Sequence, residues 1–316
     1  MNWAGLVAGY ALDVAFGDPR RFHPVAGYGR LAGGLEKAVY APDRLRGTAF
    51  AAAAVGAPIL AARLAPRRPA ARFVLTALAT WSVLGGRSLA REGSRLADEL
   101  SAGDLAAARR RLPNLCGRDP SALDSDGIAR AGVESLAENT SDAVVGPLVW
   151  GALLGLPGLV GYRAINTLDA MVGHKSPRYE HFGTAAARLD DLANLVPSRL
   201  TAALAAALAP LVGGSARRAW STWLRDGARH PSPNSGQCEA AFAGALGVRL
   251  GGTNVYSGRA ETRPDLGSGP GPGAAELRRA ACLSTLVGLG ALALAAAASK
   301  SLSRRMSSHG RSRHPA

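Results

Sequence analysis

The sequence predicts an all-α, polytopic integral membrane protein with about four to six membrane-embedded helices and polar helical loops that carry the site. Three observations carry that expectation. Apolar runs of span length recur along the chain. Arg-rich polar segments separate them. Strand signals, meaning alternating β-branched and aromatic residues between turns, are nearly absent. The chain has 316 residues, 47% hydrophobic and 19% charged, and a mean hydropathy of +0.05 that conceals this division.

Trp3 to Phe16 is apolar but short. No basic region precedes it, and Gly-Asp-Pro follows in place of a small-residue cleavage site, so it reads as a retained membrane segment rather than a signal peptide. Gly17 to Gly47 is a polar connection containing GDPRRFHP. Thr48–Leu64 and Phe73–Ala90 are full-length spans joined by a basic turn, Pro66–Pro69. Arg87–Asp142 is a long polar region, helical by composition over Ser94–Leu100 and Gly103–Leu112. Asp and Ser residues between Leu123 and Asp126 are caps for the next helix.

Ala143–Tyr162 is another uncharged run of span length. Pro147, Pro157 and its internal glycines also allow a broken or re-entrant helix. Arg163–Arg199 is polar, and Leu200–Gly214 is a marginal span. Arg217–Arg279 is polar again, and its Asp265–Gly273 stretch, DLGSGPGPG, reads as a flexible linker. Ala280–Ala298 is the last span. The organisation is one membrane-embedded domain, residues 1–298, and a basic Ser-rich tail, 299–316, whose composition predicts disorder. The tail carries five Lys/Arg and no acid, which favours the cytoplasmic side.

Lys plus Arg is 37 and Asp plus Glu is 23, giving a net charge of +14 and a pI near 10.8. Such a balance raises nucleic acid as a partner. No recognition-helix, zinc-finger or RNA-binding signature is present, and 5% aromatic residues is too few for a base-stacking platform. Membrane-flanking charge and phosphorylated ligands account for the basicity better, so the lipid bilayer and not nucleic acid is the expected partner. Cys116, Cys238 and Cys282 fit neither a disulfide framework nor a metal knuckle and read as inert thiols.

The densest chemistry lies between Glu134 and Lys175. On a helix, Glu134, Glu138 and Asp142 stack at i, i+4 and i+8, with Arg130 one turn earlier and Asn139 alongside. Like charges at this spacing repel, and a hard cation such as Mg²⁺ would relieve them. A solvated charged face is the bland alternative. Clustered carboxylates beside a membrane-grade segment point to a cation-dependent site at a membrane surface.

Asn166 and Asp169 share a helical face opposite Ile165, Leu168 and Val172, and Gly173-His174-Lys175-Ser176 ends that helix. It is not a Walker loop, because Leu168 stands where the first glycine belongs. Lys175 is a point charge for phosphate or, in the bland reading, a complement to the helix dipole. Asp190, Asp191 and Asn194 lie within one turn ahead of Pro197. Two proline-stiffened loops add polar side chains: Asp18, Arg20 and His23 in the first, and His230, Ser232 and Asn234 in the second. Each is an ordinary proline turn if taken alone. His23, His174 and His230 have no zinc spacing.

GDPRRFHPV, ESLAENTSDAVVGPLVW, NTLDAMVGHK, DDLANLVPSRLTA and HPSPNSGQCEAAFAGALGVRLGG occur in this order between about Leu12 and Gly252. Together they resemble the CobD/CbiB family of cobalamin biosynthesis, the adenosylcobinamide-phosphate synthases. The DLGSGPGPG stretch and the tail lie outside the resemblance. Gly-His-Lys at 173–175 departs from the family pattern, which has an aromatic before the lysine.

The resemblance implies a multi-pass enzyme of the inner (cytoplasmic) membrane. Its reaction is an ATP-dependent ligation of (R)-1-amino-2-propanol O-2-phosphate, or a related amino alcohol, to the propionate of adenosylcobyric acid. It implies ATP and Mg²⁺, and contacts with other membrane enzymes of late cobalamin assembly. Such chemistry needs carboxylates and amides for the metal, with Glu134, Glu138, Asp142, Asn166, Asp169 and Asp190 as candidates. It needs cations for phosphate, with Arg118, Lys175 and Arg178 as candidates, and a base, either a carboxylate or His174. Asp18, Arg20, His23, Asn139, Asn194, His230, Ser232 and Asn234 are the further binding candidates. The alternatives are a non-catalytic corrinoid transporter or binding protein, and a basic membrane scaffold. A transporter would place its ionisable residues inside the spans, whereas here the acids lie at span ends and in polar regions.

Overall fold

A computed structural model describes residues 2–18, 23–66, 68–174, 176–256 and 259–311, without the side chains of 254–261 and 305–311. Its elements in chain order are α1 (Trp3–Phe16), α2 (Pro24–Val39), α3 (Arg44–Arg63), α4 (Pro69–Val83), α5 (Gly86–Ser101), α6 (Leu105–Arg111) and α7 (Ser125–Thr140). A π-helical turn, Ser141–Val145, leads into α8 (Gly146–Leu154) and α9 (Leu156–Leu168), and a second π turn follows at Asp169–Gly173. Then come α10 (Thr184–Ala193), α11 (Leu195–Leu208), α12 (Ala216–Asp226), α13 (Ser235–Leu246), β1 (Leu250–Tyr256), β2 (Arg259–Leu266) and α14 (Ala274–Arg311). The expected all-α membrane architecture is observed. Arg44–Arg63, Pro69–Ser101, Leu195–Val212 and Ala274–Arg304 are long and apolar enough to cross a bilayer. Protein buries only 28%, 33%, 39% and 44% of their apolar windows, which leaves faces for lipid.

One open reading is settled and four expectations change. Ala143–Tyr162 is not one span: it is broken at Gly155, whose φ of 68° is left-handed. At nine residues α8 is about 14 Å long, under half a hydrocarbon core. Leu200–Gly214, marginal by hydropathy, belongs to a helical run of adequate length because the helix begins earlier, at Leu195. A two-stranded antiparallel hairpin, β1–β2, interrupts the helical pattern. The DLGSGPGPG stretch is ordered: Gly267 N–H donates to Asp226 and Arg249 N–H donates to the Pro270 carbonyl. The backbone after Ser299 is helical as far as Arg311, where composition predicts disorder.

The chain forms two compact units. The first comprises Met1–Gly85, Gly146–Ala193 and Ala291–Ala316. Here α1 lies against α4 through Gly5 and Gly9, a small-xxx-small pair: a Cβ at either position would run into Thr76 or Thr80. The helices α8 and α9 pack against each other by the same device, with Gly158 against the Trp150 carbonyl and Gly151 against Leu159. The core is Phe50, Ala51, Ala54, Leu168, Val172 and Phe182, with Ala32, Ala164 and Ala186.

The second unit comprises Gly86–Val145 and Asn194–Gly290. Its centre is α13, SGQCEAAFAGAL, nearly every residue of which is buried. Small side chains let the neighbours approach closely. A Cβ at Gly244 would meet the backbone of Arg218 and Ala219 in α12. Leu96, Leu112, Ile128, Leu136 and Leu277 complete this core.

Candidate active site

Asp124 caps α7, accepting from Gly127 N–H at 2.8 Å, as the sequence expects. The three acids do not continue on one α-helical face. The α-helix stops at Thr140, and Asp142 stands in the π turn. Pro147 explains the irregularity, because it has no N–H for the carbonyl four residues back and its ring crowds that carbonyl. Such π turns recur at functional sites, and the second one here begins at another candidate acid, Asp169.

Glu134 is an internal anchor. Its Oε2 accepts from Arg118 Nη2 at 2.6 Å, and its Oε1 accepts from Gly251 N–H at 2.7 Å. The Arg118 and Glu134 side chains are 3% and 5% exposed. Gly251 and Gly252, with φ of 93° and 79°, let the start of β1 meet the carboxylate. The charges of Arg118 and Glu134 therefore face each other inside the protein.

Glu138 is the better placed acid. It is half-buried, and Ser235 Oγ donates to its Oε1 at 2.7 Å. Ser235 lies 3.2 Å from Ser232 Oγ, so α7 meets the His230–Gly236 loop here. Asn139 is held by Ser135, and Asn234 Oδ1 accepts from Ser198 Oγ at 3.1 Å and Arg199 Nη1 at 3.3 Å. Asn194 is buried at the start of α11. Asp142 is half-buried and acts electrostatically on Cys238, whose thiol burial pushes well up. Burial raises the Cys116 and Cys238 thiols, which disfavours their thiolates, whereas Cys282 is exposed.

Glu239 is the residue that sequence reasoning missed. It is the only charged residue of α13 and is 1% exposed. Burial, then the charges of Glu134 and Glu138, push its carboxyl well above the usual range and favour the protonated acid. His230 faces it, with Nε2 3.9 Å from Oε1, too far for a hydrogen bond. Ser232 N–H donates to His230 Nδ1 at 3.0 Å. Burial, then Arg263, lowers the His230 pKa, so the ring is neutral at pH 7 with its proton on Nε2. Among the described residues, His230 Nε2 and both Glu239 oxygens make no hydrogen bond. Orphaned groups this deeply buried are costly unless they serve a ligand or a proton. The sequence signal was available: one acid in a run of small residues.

The remaining candidates lie in the first unit. Asn166 Nδ2 reaches Asp190 Oδ1 at 3.4 Å, which joins two motifs that are separate in sequence. The Asp169 carboxylate folds over Gly173, where any Cβ would strike it. Arg178 donates to Glu36 at 2.8 Å and lies 4.0 Å from the Tyr40 ring centroid, so its charge is already partnered. His174 is exposed and meets the Tyr179 ring edge-on. His23 Nε2 stands 3.9 Å from Asp18 Oδ1 and caps α2 through Nδ1. Arg20 and Lys175 lie outside the described residues.

Among the described residues no three His, Cys, Asp or Glu side chains gather as a metal cage. A Mg²⁺ ion held here would need phosphate and water oxygens beside one or two carboxylates. Half-buried Glu138 and Asp142 fit such a partial donor set in the second unit, and Asp190 is a further oxygen donor in the first.

The fold and this site define a helical membrane protein with a buried, ionisable polar centre. The chain belongs to the CobD/Cbib protein family, which it matches over residues 6–284, further at both ends than the motifs alone reach. It is 54% identical over 293 residues to "Cobalamin biosynthesis protein CobD" of Mycobacterium tuberculosis, covering 92% of this chain and 94% of that one. The protein of the same name from Geobacter metallireducens is 49% identical over 81% of this chain and 83% of its own. That from Rhodobacter capsulatus is 43% identical, over 90% and 93%. No solved structure matches the chain significantly.

Proposed function

We propose that the protein is an ATP-dependent acid–amine ligase of the cytoplasmic membrane. It joins adenosylcobyric acid to (R)-1-amino-2-propanol O-2-phosphate, or a related amino alcohol, to give adenosylcobinamide phosphate. Membership of a cobalamin-biosynthesis family supports the pathway. The observation that carries the chemistry is the buried Glu239–His230 pair beside half-buried Glu138.

A carboxylate is a poor acyl donor, and Mg-ATP supplies the phosphoryl group that activates it. The chain's own residues have three tasks. Glu138 and Asp142 supply oxygens to a divalent cation. Glu138, fixed by Ser235, takes the proton that the attacking ammonium loses, while protonated Glu239 and neutral His230 leave it without a buried rival base. Glu134 and Arg118 hold α7 against the start of β1.

A transporter would carry its ionisable groups within its spans. Glu134, Glu138, Asp142, Asp169, Asp190 and Glu239 all lie outside the four candidate spans, which favours catalysis. The test is incubation of the detergent-purified protein with adenosylcobyric acid, Mg-ATP and candidate amines, reading the new amide by mass. Corrinoid uptake into proteoliposomes without amide formation would favour the transporter.

A further inference from the structure

A cavity of about 440 Å³ opens at one end of the first unit, and neither the family motifs nor the proposed chemistry uses it. Arg63, the last residue of α3, and Arg72, in the first turn of α4, line it together with Asn2, Leu75 and Leu156. Both arginines are exposed, and among the described residues neither side chain makes an ion pair or hydrogen bond. The stretch 63–72 contains four arginines and no acid.

Three independent features fix what such a cavity would accept. First, α4 and α9 begin at it without a side-chain cap, so two positive helix ends add to the arginines. Second, its apolar edge is open: Leu154 in the wall is 59% exposed, and Leu64, between the lining residues Arg63 and Ala65, is 86% exposed. Water is a poor solvent for such a rim, whereas acyl chains cover it. Third, Trp3, beside Asn2 and 42% exposed, has the Lys300 ammonium 5.6 Å from its ring. The basic end of α14 therefore lies at the same end of the unit. Tryptophan and basic residues at the ends of spans mark a membrane interface.

We propose that this cavity is a binding site for the phosphate headgroup of an anionic phospholipid, with Arg63 and Arg72 on the phosphate and the acyl chains over the leucine rim. The anionic lipids of a cytoplasmic leaflet meet basic segments in this way. A free phosphate would satisfy the arginines but leave the rim bare. The inference is independent of the ligase chemistry, because it concerns a different part of the chain and is read without substrates.

The test uses the full chain in detergent micelles doped with phosphatidylglycerol or phosphatidylcholine, with retained lipid read by native mass spectrometry and melting by thermal scan. Two cationic side chains near an anionic headgroup predict a preference of roughly 30-fold for phosphatidylglycerol. R63Q/R72Q should bring it close to parity while the far-ultraviolet spectrum stays that of the parent. The exposed pair R110Q/R217Q, which removes equal charge elsewhere, should retain it. Equal loss in both double variants would show general charge attraction and overturn the site. So would an absent preference in the parent. Stabilisation by inorganic phosphate equal to that by phosphatidylglycerol would overturn the lipid assignment.

Discussion

Replacing Glu134 by glutamine removes one half of a buried ion pair and keeps the shape. Arg118 and Glu134 are 3% and 5% exposed and meet at 2.6 Å, so the guanidinium left behind has no solvent to turn to. Breaking such a pair from one side costs about 3–5 kcal/mol. Glutamine keeps an oxygen for Gly251 N–H, so that bond is not part of the loss. Adding Arg118→Met removes the stranded charge. The double variant E134Q/R118M should then fall short of the parent by only the lost hydrogen bonding, on the order of 1–2 kcal/mol. Chemical denaturation in detergent, followed by circular dichroism, reads both. A double variant as unstable as E134Q, or an E134Q as stable as the parent, would refute the pairing. The parallel assay is amide formation. A stable but inactive double variant would return Glu134 or Arg118 to the substrate.

Three more outcomes concern carboxylates of the second unit. Glu138→Gln and Asp142→Asn should each lower turnover by roughly 10²–10³ at limiting Mg²⁺ with the fold intact, and near-normal rates in both would remove the metal reading. Glu239→Gln should be more stable than the parent above about pH 4.3 and equal below it. The folded carboxyl holds its proton while the unfolded one ionises, so the parent loses stability as pH rises and the amide does not. A parent that gains on the variant with rising pH contradicts the burial reading. Asp226 titrates in the opposite sense. Arg225, first, and Gly267 N–H hold its carboxyl below the usual range, so Asp226→Asn should be less stable than the parent at neutral pH. The gap should close as pH falls below about 3.9 and through the folded value.

The spans around Val55, Leu78 and Ala291 were legible because hydropathy reports burial in lipid as readily as in protein. The prolines and glycines of Ala143–Tyr162 allowed a break, but an apolar window averages over residues and does not single out Gly155, the left-handed residue that turns the chain. The hairpin was missed although Thr253, Val255 and Tyr256 are strand formers, because glycines and charges surround them. DLGSGPGPG reads as a linker by composition. In the structure its glycines are needed for close approach, as at Gly269 against the Gly247 carbonyl. In the site, spacing found Glu138 and Asp142 but could not pair Arg118 with Glu134 or Asn166 with Asp190, since those contacts depend on tertiary packing. Glu239 escaped because a search for clustered acids passes over a solitary one, and its meaning lies in the small residues that bury it.

The most direct test supplies the purified, folded protein with adenosylcobyric acid, Mg-ATP and (R)-1-amino-2-propanol O-2-phosphate, and follows products by mass. The ligase reading predicts a species equal to the two joined substrates less one water, formed in step with ATP consumption and lost when any one component is omitted. ATP consumption without that species, or corrinoid binding with no product from any amino alcohol tried, would contradict it.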